Sequence, residues 1–92
     1  FRNCSELRFL ILSNNEFREL DLGPLMNCKE LAYLMVSGNQ IEELDISPLF
    51  HLYSLEVFAV DPDTVLYADK RLQSAEAVPL PVAEKMPRIE WR

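Results

Sequence analysis

An internal repeat of 24 residues is the feature that most constrains this chain. Residues 7–26, LRFLILSNNEFRELDLGPLM, recur as residues 31–50, LAYLMVSGNQIEELDISPLF. When residues 1–24 are aligned with residues 25–48 without a gap, 11 of the 24 positions are identical. A repeat of this length is one supersecondary unit that cannot bury its apolar side alone, so neighbouring copies must stack on one another.

The apolar residues of each copy have a spacing that puts them on one side of a short strand. They recur in three successive copies as Leu7, Leu10 and Leu12, then Leu31, Leu34 and Val36, then Leu55, Phe58 and Val60. Asn15 and Asn39 follow where the chain must bend. An amide side chain there can pair the backbone groups of the bend, which no strand ladder satisfies. The sequence therefore predicts stacked parallel strands with a corner asparagine.

The strings LRFLILSNN and LAYLMVSGN resemble the LxxLxLxxN core of the leucine-rich repeat family, and the resemblance extends over residues 1 to about 66. It implies an α/β leucine-rich repeat solenoid. Such a solenoid has short parallel strands on its concave face, short helical or extended segments on its convex side, and a C-terminal cap. The resemblance also implies protein recognition as the usual function.

The repeat predicts a single domain over residues 1–92, divided into three turns and an irregular cap: 1–24, 25–48, 49–69 and 70–92. The end of the chain, MPRIEW, fits the strand pattern again. It predicts a last strand at 88–91, with Trp91 covering the final core layer. The alternative is an irregular tail packed on the third turn.

The third turn departs from the pattern at its corner. Asp63 replaces the asparagine there, and Pro62 precedes it. Beyond the corner, the period aligns Ala68 with Leu44.

Helical segments are expected on the convex side. Ser47 and Pro48 predict an N-cap and a first helical residue, followed by one short turn over 49–52. A second short helix is expected near 70–77.

The beginning of the chain falls inside a turn, because Phe1 occupies the repeat position of Leu25 and Leu49. The first strand would then lie at an open edge, which repeat proteins normally cover with a cap. The sequence therefore predicts either a piece of a longer array or a domain whose edge another chain covers.

The outward strand positions form the candidate partner-binding surface. These positions hold Phe9, Ile11, Tyr33, Met35, Val57, Ala59 and Arg88. Stacked at roughly 4.8 Å per turn, the first six would form two adjoining apolar stripes. A contiguous apolar patch marks an interaction surface. The plainer alternative is that another part of the parent protein, or a second copy, covers it.

Charge and composition exclude several classes of protein. The net charge of -6, without a clustered basic footprint, argues against nucleic-acid binding. No apolar run is long enough to span a membrane, and no signal peptide is visible. Two cysteines are too few for a disulfide framework, which predicts a reduced, intracellular (cytoplasmic) protein.

Cys4 and Cys28 lie one period apart and are expected to be stacked neighbours on the convex side. We interpret them as part of a ladder of small buried apolar residues, with Leu52 in the third position. A bond between adjacent turns is the alternative that geometry leaves open.

No catalytic constellation is visible. Asp21, Asp45 and Asp69 share one repeat position, so we expect them to bond loop backbone or to face solvent. His51 is the only histidine, and the repeat brings no nucleophile beside it. The sequence predicts no enzyme activity, no cofactor and no metal site.

Two functions therefore fit the sequence. The first is a protein-interaction module that binds a partner through its concave face. The alternative is a C-terminal structural or capping fragment of a longer repeat array, which self-associates into a homo-oligomer through its open N-terminal edge.

Overall fold

Two separate parallel sheets organise the computed structural model, which describes residues 4–92. The first sheet has the strand order β1-β2-β4 and the second the order β3-β5-β6. The strands are β1 (Phe9–Ile11), β2 (Tyr33–Met35), β3 (Glu43–Asp45), β4 (Val57–Ala59), β5 (Val65–Ala68) and β6 (Ile89–Trp91). The expectation that concerned Phe1 lies outside the described residues.

Within residues 4–92, helical structure is limited to short segments between the strands. These are four 3-10 helices and one α-helix: Gly23–Asn27, Ser47–His51, Lys70–Ser74, Met86–Arg88, and α1 (Leu80–Ala83). All but the third have proline in the first two positions, where its fixed φ suits a helix start. Ser47 is not the expected N-cap, because the helix begins at Ser47 itself and follows Ile46.

The expected α/β leucine-rich repeat solenoid, with one concave sheet and a C-terminal cap, is wrong. Between residues 31 and 68 the chain forms two strands in each period, and the bend between them points the second strand into a different sheet. β6 then pairs with β5 instead of extending the first sheet. The result is a compact body of 31 × 28 × 19 Å with two small sheets and little helix.

The register of the two sheets differs. In the first sheet Leu10 pairs with Leu34, and Leu34 with Phe58, so the 24-residue period is kept. In the second sheet Leu44 pairs with Leu66, not with Ala68 as the period predicted. This shift of two residues keeps the same side chains pointing inward, because side chains alternate between the two faces of a strand.

The hydrophobic core is centred on the second and third copies of the repeat. Its largest fully buried side chains are Leu22, Leu25, Leu31, Leu34, Val36, Leu44, Ile46, Leu49, Phe50, Leu52, Leu66 and Val82. Each contributes about 1.5–3 kcal/mol by leaving water. In the first copy, by contrast, Leu7, Leu10, Leu12 and Leu20 are only partly buried.

The corner asparagine Asn39 joins two copies of the repeat. Its Oδ1 accepts hydrogen bonds from the backbone N–H groups of Asn15 and Phe17, at 3.1 and 3.3 Å. Its Nδ2 donates to the carbonyls of Leu12 and Val36, at 2.9 and 2.8 Å. One side chain thus pairs four backbone groups of the bends, three of them in the preceding copy.

Two residues of these bends adopt the left-handed backbone conformation: Asn14 with φ 59° and Gly38 with φ 76°. Asparagine and glycine are the residues that tolerate it best. A Cβ at Gly38 would also lie 2.3 Å from Oδ1 of Asn14, so the close approach of the two bends requires glycine there.

The third corner uses different chemistry from the first two. The carboxylate of Asp61, not that of Asp63, accepts hydrogen bonds from Gly38 N and Asn39 N. Thr64 is buried, and its hydroxyl donates to the Ile41 carbonyl at 2.9 Å. The polar groups of this bend are therefore paired although the asparagine is missing.

The periodic aspartates precede three of the 3-10 helices and bond the backbone at their starts, and Asp69 is also the N-cap residue of its helix. Asp21, Asp45 and Asp69 each accept, through Oδ1, the backbone N–H two residues later in the chain, at 2.9, 3.0 and 2.9 Å. A side-chain acceptor at a helix start pairs a donor that has no partner within the helix. The shared repeat position of these residues thus has a structural cause.

We expect Asn39→Ala to lower the free energy of unfolding by about 1–3 kcal/mol, because it leaves paired backbone groups of two bends without partners. Asn15→Ala is the matched control. The side chain of Asn15 is exposed and donates only to the carbonyls of Leu12 and Ser13, so its loss should cost about 1 kcal/mol or less. Urea denaturation measures both values, and equal losses would contradict the bridging role of Asn39.

Asp69 provides a prediction about pH. The Arg71 side chain, and then its backbone N–H, lower the pKa of the Asp69 carboxyl from its ordinary value of 3.8 to about 2. A lowered pKa in the folded state stabilises the fold above the unfolded value, and the contribution is lost as pH falls from about 4 towards 2. We therefore expect the carboxyl carbon resonance of Asp69 to titrate near pH 2.

The control for this titration is Arg71→Ala, which removes the guanidinium but keeps the backbone N–H. The midpoint should then move up towards 3.8. If the titration midpoint of Asp69 is the same in Arg71→Ala as in the parent protein, the guanidinium does not lower this pKa.

Candidate interaction surface

Each strand of the first sheet has three residues, so its middle side chain points inward and its two outer side chains point away from the core. The inward residues are Leu10, Leu34 and Phe58. The outward residues are Phe9, Ile11, Tyr33, Met35, Val57 and Ala59, and we call this surface the apolar face. The structure thus brings together six of the seven residues of the predicted binding surface.

The apolar face is most exposed along β1. Phe9 and Ile11 are 59% and 62% exposed, whereas the outward residues of β2 and β4 are half-buried beside their neighbours. The rings of Phe9 and Tyr33 stack with centroids 4.8 Å apart and an interplanar angle of 16°. Such a pair contributes about 0.5–1.5 kcal/mol beyond the burial of its area, so Phe9 is held in a defined position.

Polar residues border the apolar face at both ends of the strands. Arg8 and Glu56 precede β1 and β4, and the backbone of Ala32 between them pairs with both. Ser37 and Asp61 follow β2 and β4. A central apolar area with a polar rim is the usual anatomy of a protein–protein interface.

Arg88 does not belong to the apolar face. Its Nη2 donates to the backbone carbonyls of Asp61 and Thr64, at 2.8 and 2.7 Å, so the guanidinium bonds the third bend. The predicted position of Arg88 beside the apolar residues required the last strand to extend the first sheet. The strand pattern of residues 86–91 does not specify which sheet the strand joins.

The outer face of the second sheet is charged and aromatic. The guanidinium of Arg92 lies 4.0 Å from the ring centroid of Tyr67 and forms ion pairs with Glu43 and Glu90, at 2.7 and 2.9 Å. The hydrogen bond from Arg92, and then its charge, lower the pKa of the Glu43 carboxyl. These groups are exposed, so salt screens their interactions.

An open acidic groove of about 910 Å³ adjoins this second sheet. It is lined by Arg18, Glu19, Leu20, Asp21, Gln40, Glu42, Glu43, Asp45 and Tyr67. Asp21 and Asp45 each use one carboxylate oxygen to accept the N–H of the first residue of a 3-10 helix, Gly23 and Ser47. Within the described range, no three His, Cys, Asp or Glu side chains lie close enough to hold a metal ion.

The two cysteines form a disulfide between adjacent copies of the repeat. Cys4 and Cys28 have Cα atoms 5.0 Å apart, and both are buried. The interpretation as a ladder of unbonded apolar residues is therefore wrong. Parallel stacking at a 24-residue period places the two Cα atoms within bonding range, a consequence that the count of cysteines alone does not show.

Comparisons with protein-family models, with curated proteins and with solved structures give no match to this chain. The resemblance to the leucine-rich repeat family therefore stays a prediction. No helix among residues 4–92 has the length and apolar character needed to cross a membrane.

The opposite faces of the first sheet should respond differently to substitution. Ile11→Thr should change the free energy of unfolding by less than about 0.5 kcal/mol, because Ile11 faces water. Leu34→Ala should lower it by about 2–5 kcal/mol, because Leu34 is fully buried. Chemical denaturation gives both values, and a large loss from Ile11→Thr would mean that the apolar face is covered in the isolated protein.

Proposed function

We propose that this protein is an interaction module that binds a protein partner through the apolar face. The observation that supports the proposal is the contiguity of six apolar side chains on one surface, with Phe9 and Ile11 mostly in water. An isolated exposed apolar residue needs no explanation, whereas a contiguous apolar patch with a polar rim is typical of a binding surface.

The stacked pair of Phe9 and Tyr33 is the proposed anchor of the contact. Aromatic residues are enriched at the energetically dominant positions of interfaces, because they bury a large area for little loss of side-chain entropy. The fixed ring of Tyr33 holds Phe9 in place before a partner binds, which lowers the entropic cost of binding. We expect the partner to present an apolar centre of matching size.

The proposed role is neither catalytic nor directed at nucleic acid. The carboxylates of the acidic groove accept hydrogen bonds at helix starts, form ion pairs or face open solvent, which does not favour an acid–base mechanism. The net charge of -6 opposes binding to phosphate backbones. We therefore assign the groove a role in solubility.

Self-association is a second candidate, and the position of β1 favours it. β1 lies at the edge of the first sheet, and the core residues behind it, Leu7, Leu10 and Leu12, are only partly buried. An edge strand offers unpaired backbone groups to another strand. Two copies joined along β1 would form a homo-oligomer.

The disulfide is evidence about the cellular compartment of the protein. Structural disulfides persist in oxidising compartments and are rare in the cytosol. The bond between Cys4 and Cys28 thus counts against the prediction of a reduced, cytoplasmic protein.

Replacing Phe9 and Ile11 together by serine should abolish partner binding and leave the circular dichroism spectrum nearly unchanged. The melting temperature should fall by only several degrees, because the stack with Tyr33 is lost. The matched control replaces Met26 and Leu80 by serine. These residues are also large, apolar and exposed, at 52% and 69%, but lie outside the apolar face. Affinity capture is carried out with the parent protein, the Phe9 and Ile11 variant and the Met26 and Leu80 control. It identifies the partners that only the Phe9 and Ile11 variant fails to bind.

Light scattering over a range of concentrations separates the two candidates. A monomer that captures a partner supports the interaction module, whereas a dimer that the Phe9 and Ile11 variant dissociates supports self-association. If the variant and the control lose the same proteins, the apolar face is not the binding surface.

A further inference from the structure

The first copy of the repeat is attached to the rest of the protein more by hydrogen bonds and the disulfide than by buried apolar side chains. The residues of its inner layer are only partly buried, whereas Leu31 and Leu34, at the equivalent positions of the next copy, are fully buried. Leu22 is buried in the core, so the weakly buried segment ends before it, and residues 4–20 contribute less apolar burial than the copies behind them. Its cohesion depends more on the β1–β2 ladder, the Asn39 bonds and the disulfide.

The disulfide restricts how far this segment can move when it opens. The bond between Cys4 and Cys28 closes the chain between them into a loop, so both ends of this loop are held next to residue 28. Opening the segment with the bond intact releases a closed loop. Opening it without the bond releases the same residues free of this cross-link, so they gain more conformational entropy.

We propose that the Cys4–Cys28 disulfide is a redox-sensitive latch that keeps the first copy of the repeat docked on β2. Reduction of the bond releases residues 4–20, which include β1, while strands β2 to β6 stay folded. The remaining strand pairings do not include β1, because β2 still pairs with β4, and β5 with both β3 and β6.

The chemistry is a thiol–disulfide exchange with a dithiol reductant. Its thiolate attacks Sγ of Cys4, which retains slight exposure, and Cys28 leaves as a thiolate that takes up a proton. The second thiol of the reductant then attacks the mixed disulfide and releases Cys4. The disulfide gains two electrons and two protons, and the dithiol is oxidised to a disulfide.

The latch would control the apolar face. Release of β1 removes Phe9 and Ile11 from the surface and uncovers the ring of Tyr33, which Phe9 stacks on. This consequence rests on the proposed function, whereas the latch itself does not. Reduction should therefore weaken partner binding without unfolding the protein.

Amide hydrogen exchange tests the latch, because two amides report directly on the β1–β2 contact. The N–H of Leu12 donates to the Met35 carbonyl, and that of Tyr33 donates to the Arg8 carbonyl. Two reference amides lie outside the β1–β2 contact. The N–H of Val57 donates to the Ala32 carbonyl, and that of Ile46 donates to the Tyr67 carbonyl in the second sheet. Exchange is followed by NMR for the full chain with and without dithiothreitol.

We expect dithiothreitol to lower the protection of Leu12 and Tyr33 on the order of a hundredfold, the effect of opening a loop of this length, while Val57 and Ile46 keep theirs. An equal loss at all four amides would overturn the proposal, because the bond would then stabilise the whole fold. Unchanged protection at Leu12 and Tyr33 would overturn it as well.

Cys4→Ala removes the bond without a reductant and serves as the second test. Its exchange pattern should match that of the reduced protein, and dithiothreitol should have no further effect on it. A pattern in Cys4→Ala that still responds to dithiothreitol would show that the reductant acts elsewhere. If the latch opens as expected but partner binding is unchanged, the proposed function of the apolar face fails and the latch stands.

Discussion

The structure depends on the stacking of one inward side chain per strand on its counterpart in the next copy of the repeat. A three-residue strand with a single buried residue is not stable alone, so each copy needs its neighbour to exclude water. Leu34 illustrates this dependence, because it lies between Leu10 and Phe58 and is fully buried. Leu10 has a neighbouring strand on one side only and remains partly exposed.

This stacking determines which polar groups must be paired by side chains. Parallel strands end together, so their bends lie side by side and their backbone groups are close enough for one side chain to reach two copies. Asn39 does so with its amide, and Asp61 with its carboxylate. Arg88 completes the series by bonding the carbonyls of the third bend. Three residue types thus meet the same requirement in successive layers.

The two sheets divide the surface into regions of different chemistry. The first sheet presents the apolar face, and the second presents charged groups that centre on Arg92 and the adjoining acidic groove. The difference follows from the outward positions of the strands, which packing leaves free to vary. The apolar face is concentrated beside the disulfide-bonded first copy, so its most exposed residues depend on the segment with the least buried core.

The sequence by itself determined the period, the inward residues, the strands of the first sheet and six residues of the apolar face, because a repeat in register places equivalent residues side by side. Only the tertiary structure decided that the second strand of each period would belong to a separate sheet. In that sheet Leu66, and not Ala68, lies beside Leu44. It also decided that the cysteines would bond and that Arg88 would leave the apolar face. The physical reason is that periodicity specifies which face a side chain occupies. The angle of a bend and the partner of an edge strand depend on contacts between distant residues.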